Sequence, residues 1–424
     1  MKLHIRQGFA AAMILMSQGV FAQNLLTLED ARQMALQQNK KIKQAQYNIE
    51  AAKAVEVGAH ATNKPVIDGS VAAFHVGKPL NLVLPGVGVS PSLTVTQPIY
   101  AGGKIKLGQA AAAKGVEIYE SQKQLTQSEV LLNVDKAYWQ IVSVNEKIKL
   151  ANRFKNLLES LDKELSNAFN AGMIYKNDLL RVQVQRNETE LNISKATDGL
   201  VMAKLKLAQI VGLKSSENFM VSDSVSGMFQ AMLADSLGQA ADHRIELQIL
   251  KKALEAEELQ KKMLLADFKP TVALLAGGFA GVGKKMNIET GGNTMASYFG
   301  LLSVNIPIWD WGLKASKVKE QSFKIGARQL ELEETKELLS LEVQQAYLQL
   351  NQAARKIDLS GASLAQAEEN LRLSNDRFKA GTITGQDVLE AQTLWQQANS
   401  NIIDAKIEYR ISEAVYRKAV GENM

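Results

Sequence analysis

Few residues in this chain have the type and spacing of a reactive centre. Asp387 and Glu390 stand three positions apart, which puts both carboxylates on one face of a helix. The run Gly278-Phe279-Ala280-Gly281-Val282-Gly283-Lys284-Lys285 resembles a phosphate-cradling loop until its last position, where Lys285 replaces the required Ser or Thr. A strand is expected before it. Asn287-Ile288-Glu289-Thr290-Gly291-Gly292-Asn293 follows where a helix N-terminus would have to face the phosphate, so a glycine-rich barrel loop is the better reading. His60, His75 and His243 lie far apart without metal-ligand spacing, which leaves a zinc site unsupported. The chain has no Cys, so neither a disulfide nor an N-terminal lipid anchor is expected. No enzymatic activity, metal or cofactor is expected.

The elements that would position such groups begin after a targeting segment. Lys2, His4 and Arg6 form a short basic region, and Phe9 to Met16 is an apolar run too short to span a bilayer. Val20-Phe21-Ala22 places small residues at cleavage positions, so residues 1–22 read as a secretory signal peptide and Gln23 as the first mature residue. Removing Lys2 and Arg6 takes the net charge from +5 to +3, a near balance that gives no case for nucleic acid. No remaining apolar run reaches the roughly 20 residues of a transmembrane helix, so any membrane crossing must be a β-barrel.

All seven prolines fall in two windows, 65–98 and 270–307. Elsewhere Ala, Leu, Lys, Gln and Glu dominate, which predicts long helices interrupted twice by short β segments. The halves repeat. Pro98, Gly103, Ala137-Tyr138, Ala171-Gly172, Asp178 and Val211-Gly212 recur 209 residues later as Pro307, Gly312, Ala346-Tyr347, Ala380-Gly381, Asp387 and Val420-Gly421. Ile42 and Pro65 match Leu247 and Pro270 at an offset of 205, so the second β window is longer by four residues. A tandem duplication follows. The first repeat is 23–212, with a β-hairpin at 66–98 and a long helical hairpin at 104–210. A linking segment covers 213–238, and the second repeat, 239–424, has its hairpins at 271–306 and 312–419.

From Lys104 to Ala168 an unbroken helix would be about 100 Å long and would need partner helices along its length. Ala346, Leu350, Ala353, Ile357, Ser360, Leu364, Ala367, Leu371, Ser374 and Phe378 step alternately by four and three, a coiled-coil seam. The first copy places Lys155 and Asp162 where Leu364 and Leu371 stand. Gly172 and Gly381 end the long helices at matching tips, and Thr384 with Asp387 has the spacing of a capping box. In the β windows Ser92, Thr94 and Thr96 alternate with Leu93 and Val95, and Ser303 and Asn305 with Leu302 and Val304, as in membrane strands. Phe74, Tyr100, Phe279, Tyr298, Trp309 and Trp311 are candidates for the membrane interfaces. Four strands cannot close a barrel, so copies must associate.

With these features the chain resembles the TolC family of outer-membrane efflux proteins. The resemblance covers nearly the whole mature chain and rests on the duplication, on Gln97-Pro98-Ile99-Tyr100-Ala101-Gly102-Gly103, and on Ala380-Gly381 followed by Asp387-Val388-Leu389. It implies a mainly α fold with a membrane β-barrel: a homotrimer with a 12-stranded barrel in the outer membrane and a 12-helix tunnel in the periplasm. It also implies an equatorial belt at 213–238, and a passive duct recruited by a periplasmic adaptor and an inner-membrane transporter. By the same resemblance Asp387 and Glu390 ring the periplasmic constriction, where three copies would disfavour anions. Gly172, Asp178, Gly381 and Thr382 mark the tips where adaptors dock. One departure is that Phe378 and Ile383 occupy positions where some relatives carry a Tyr and an Arg that hold the closed state, which argues against such a polar latch. The competing reading is a soluble periplasmic coiled-coil scaffold or adaptor. An adaptor, however, has one helical hairpin flanked by β domains rather than two hairpins interrupted by β segments.

Overall fold

Proline-free stretches form the helices of this protein, and the proline windows form its four longer strands. The computed structural model describes residues 24–80, 84–213, 219–222, 229–230, 241–287 and 289–422; the expected signal peptide and most of 213–238 lie outside them. In the first repeat β1 (Asn24–Leu26) leads to α1 (Leu28–Gln38) and α2 (Lys40–Ala61). The hairpin of β2 (Val66–His75) and β3 (Val87–Ala101) follows, then α3 (Lys104–Asn170) and α4 (Lys176–Val211). After β4 (Phe219–Val221), the second repeat has a 3₁₀ turn (Ala241–His243), α5 (Ile245–Ala266), β5 (Thr271–Gly283), β6 (Thr294–Asn305), α6 (Leu313–Lys379) and α7 (Gly385–Val420). The long helices have 67 residues each and the returning helices 36 each.

The helices stand side by side in an arc. α3 packs against α2 and α5 toward the sheet and against α4 and α7 toward the tips, whereas α6 packs chiefly against α5 and α7, with a smaller contact to the 3₁₀ turn. The heptad seam of α6 faces this packing: Ala346, Leu350, Ala353 and Leu371 are buried and the other seam residues half-buried. In α3 the two charged seam positions find opposite charges on α4. Lys155 lies 3.2 Å from Glu190, and Asp162 accepts from Arg186 at 2.9 Å and Gln183 at 3.2 Å. Short helices are tied in by buried polar groups. Arg32 of α1 grips Asp135 of α3 with two bonds of 2.8 and 2.6 Å. Asn39, which caps α2, donates to the Ile210 carbonyl at 2.7 Å, and Arg244, at the same place before α5, donates to the Ala419 carbonyl at 2.9 Å. Arg244 also pairs with Glu246 and Glu342.

The four longer strands form one antiparallel sheet in the order β2-β3-β5-β6, and the β3–β5 pairing joins the repeats. Register places Ile67, Leu93, Val95, Ala276, Leu274, Leu302 and Val304 on one face, and Asp68, Ser70, Ser92, Thr94 and Ser303 on the other. Ser70 and Ser92 share a 2.8 Å hydrogen bond across the polar face. One expectation needs correction. Gly278 to Gly283 is the end of strand β5, not a loop, because β6 supplies backbone partners up to Val282. Phe74 and Phe279 pair with Gly88 and Ser92 and therefore share the face of Asp68, Ser70 and Thr94. Tyr298, Trp309 and Trp311 are strongly exposed. Among the described residues β2 pairs only with β3 and β6 only with β5, so the sheet has two bare edges.

Candidate functional site

Each helical hairpin reverses at a glycine in the left-handed conformation, Gly172 at φ +74° and Gly381 at φ +71°. A side chain there would strain the backbone. After Gly172, Met173 returns its amide to the Ala168 carbonyl at 2.9 Å; after Gly381, Thr382 donates both its amide and its hydroxyl to the Arg377 carbonyl at 3.0 Å. The next helix starts differ. The Asp387 carboxylate accepts from the Thr384 amide at 2.8 Å and from its hydroxyl at 2.7 Å. Those Thr384 bonds hold the Asp387 carboxyl below the ordinary range for Asp. Tyr175, the counterpart of Thr384, gives α4 no side-chain cap, and Asp178 is half-buried.

Behind the tips lies an apolar cluster of Leu158, Leu161, Leu165, Leu179, Val182 and Val388, with Phe378 and Ile383 packed on it. These two departures from the family pattern are therefore part of the packing. Gly385 lies so close to α3 that a Cβ would come within 2.6 Å of Leu165 Cδ2.

In front of this cluster α4 and α7 border an open groove, with Asn177, Leu180 and Arg181 on one side and Gln386, Leu389 and Glu390 on the other. Arg181 Nη1 donates to Gln386 Oε1 across it. Asp387 and Glu390 are both exposed, but only Glu390 lines the groove, while Asp387 is engaged in the cap. Sequence reasoning passed over Arg181. The available signal was the 209-residue offset, which carries Arg181 onto Glu390.

The sequence pattern of the family described as "Outer membrane efflux protein" matches residues 31–213 and 236–422. "Outer membrane protein TolC" of Escherichia coli (strain K12) is 22% identical over 342 residues, 78% of this chain and 69% of that protein. "Alkaline protease secretion protein AprF" of Pseudomonas aeruginosa is 22% identical over 343 residues, with the same two coverages of 78% and 69%. The crystal structure of the outer membrane protein VceC from Vibrio cholerae shares the fold with a TM-score of 0.79 at 15% identity, covering 93% of this chain and 96% of that one. With two family matches that take in both repeats and together span most of the sequence, the chain belongs to the outer membrane efflux protein family.

Proposed function

We propose that three copies of this chain close into a single duct, through which cargo handed over by an inner-membrane transporter and its periplasmic adaptor passes to the outside. The chain is an outer-membrane efflux or secretion channel, and the trimer is our reading of how it closes. The observation that carries the trimer is the double incompleteness of the protomer. Its sheet has two bare edges, and its helical arc ends in α6 on one flank and in α2 and α4 on the other. Exposed Leu330, Leu341, Leu348 and Leu359 on α6, and Leu191 and Met202 on α4, need cover that a neighbouring copy would supply. Three protomers would give 12 strands, and four helices per protomer at each level would give a 12-helix tunnel. We take 213–238 as an equatorial belt between repeats at 23–212 and 239–424, after a signal peptide at 1–22.

In the same reading the tips, with Gly172, Asp178, Gly381 and Thr382, receive the adaptor, and Asp387 and Glu390 border the periplasmic constriction. Cell fractionation tests the duct. Detergent extraction should yield an outer-membrane trimer, and recovery as a soluble periplasmic monomer would sink the proposal. Neutralising Asp387 and Glu390 together should lower cation preference in planar bilayers; unchanged selectivity would remove them from the constriction.

A further inference from the structure

The groove between α4 and α7 is lined twice by the same helical face. Counting on by 209 residues carries Asn177 to Gln386, Leu180 to Leu389, Arg181 to Glu390, Val184 to Thr393 and Gln185 to Leu394. Every one of these residues lines the groove. At one level only, the two copies carry opposite charges. Arg181 reaches toward α7 and bonds to Gln386, about one helical turn from Glu390.

We infer that Arg181 is the charge counterweight to Glu390 and sets the ion preference of the duct, an inference that rests on reading this region as the constriction. Positions equivalent under the duplication lie at one depth in a closed ring, so three copies would alternate Arg181 with Glu390 around it. A ring of Glu390 alone would repel anions strongly. The alternating ring leaves the excess negative charge to Asp178 and Asp387, about one turn nearer the tips, where Asp387 is held by Thr384. Leu180, Val184, Leu389 and Leu394 wall the groove and lower its effective dielectric, which strengthens each charge. Selectivity would then follow the difference between two rows of side chains, one from each repeat.

The test is the reversal potential of the purified full-length channel in planar bilayers under a potassium chloride gradient. Arg181→Gln should raise the potassium-to-chloride permeability ratio by roughly threefold or more. Glu390→Gln should shift it the other way, and Arg181→Lys should leave it unchanged because the charge remains. The exchange variant, Arg181→Glu with Glu390→Arg, keeps the composition of the ring and should restore the wild-type potential. If Arg181→Gln changes nothing while Glu390→Gln does, Arg181 has no such role and the constriction stands. If neither single variant moves the potential, the constriction lies elsewhere and both readings fall. All three side chains at the crossing are exposed, so the variants leave the packed interior untouched.

Discussion

α3 and α6 have the same length and descend from one ancestral helix, yet α3 buries 18 of its 67 residues and α6 only 9. The difference comes from position. α3 has neighbours on both sides along its length, and α6 ends the arc. Duplication therefore produced two helices under different constraints. The inner one is fixed within the protomer, and the outer one leaves Leu330, Leu341, Leu348 and Leu359 exposed. The polar clasps diverged likewise: α1 is pinned by Arg32 and Asp135, whereas the start of α5 is pinned by Arg244 with Glu246 and Glu342.

The largest effect should come from breaking the clasp unique to the first repeat. Asp135→Ala would leave Arg32 without its bidentate partner in a largely buried place, at a cost of about 3–5 kcal/mol. Gln344→Ala, the exposed equivalent in α6, should stay within about 0.5 kcal/mol. Denaturation midpoints of the detergent-extracted protein separate the two, and equal losses would break the contrast between the helices.

The paired caps come next. Asn39→Ala loses one bond to the Ile210 carbonyl and a helix cap, about 1–2 kcal/mol. Arg244→Ala loses the matching bond to Ala419 together with two charged partners, about 2–3 kcal/mol, tempered by the partial exposure of both glutamates. A smaller cost from Arg244→Ala than from Asn39→Ala would show that the added charges contribute nothing.

At the tips, Gly385→Ala forces Leu165 aside and should cost about 1–2 kcal/mol despite the better helix propensity of Ala. Lys176→Ala, its exposed counterpart, should be within about 0.5 kcal/mol by the same thermal or chemical denaturation. The smallest effect is a pH effect. The Asp387 carboxyl titrates below its ordinary range when folded, so its contribution is complete above that range and disappears as pH falls through the lowered value. Amides from Thr384 to Val388 should then lose hydrogen-exchange protection in acid, while those from Tyr175 to Leu179, which lack a side-chain cap, should not. Parallel losses at both tips would remove the cap as the cause.

The helices and strands were legible because proline placement, seam spacing and the repeated offset all report on local or periodic constraints. Strand facing was legible where Ser or Thr alternates with Leu or Val. The aromatics carry no such alternation, and the face taken by Phe74, whose ring lies against the cross-strand Gly88, comes from the pairing register alone. Arg32 and Asp135 are 103 residues apart, and a single sequence carries no trace of such a pairing. The site was half legible. Asp387 and Glu390 share a helix face by spacing, but their different engagements depend on Thr384 and on the approach of α4. Arg181 was hidden because its opposite charge, Glu390, stands on the equivalent helix 209 residues away and not along its own.

The bare sheet edges also bear on how the protein comes into being. The helical hairpins are closed by short tips and can form early, while β3 and β5 must find each other across the whole of α3, α4 and α5. Even then β2 and β6 expose edge backbone that water can hydrate but lipid cannot satisfy. If copies close the barrel as proposed, the last folding step of a newly exported protomer is an encounter with another copy. Its yield should depend on how soon it meets its own copies, and dilute expression should favour its loss to proteolysis before a barrel can close.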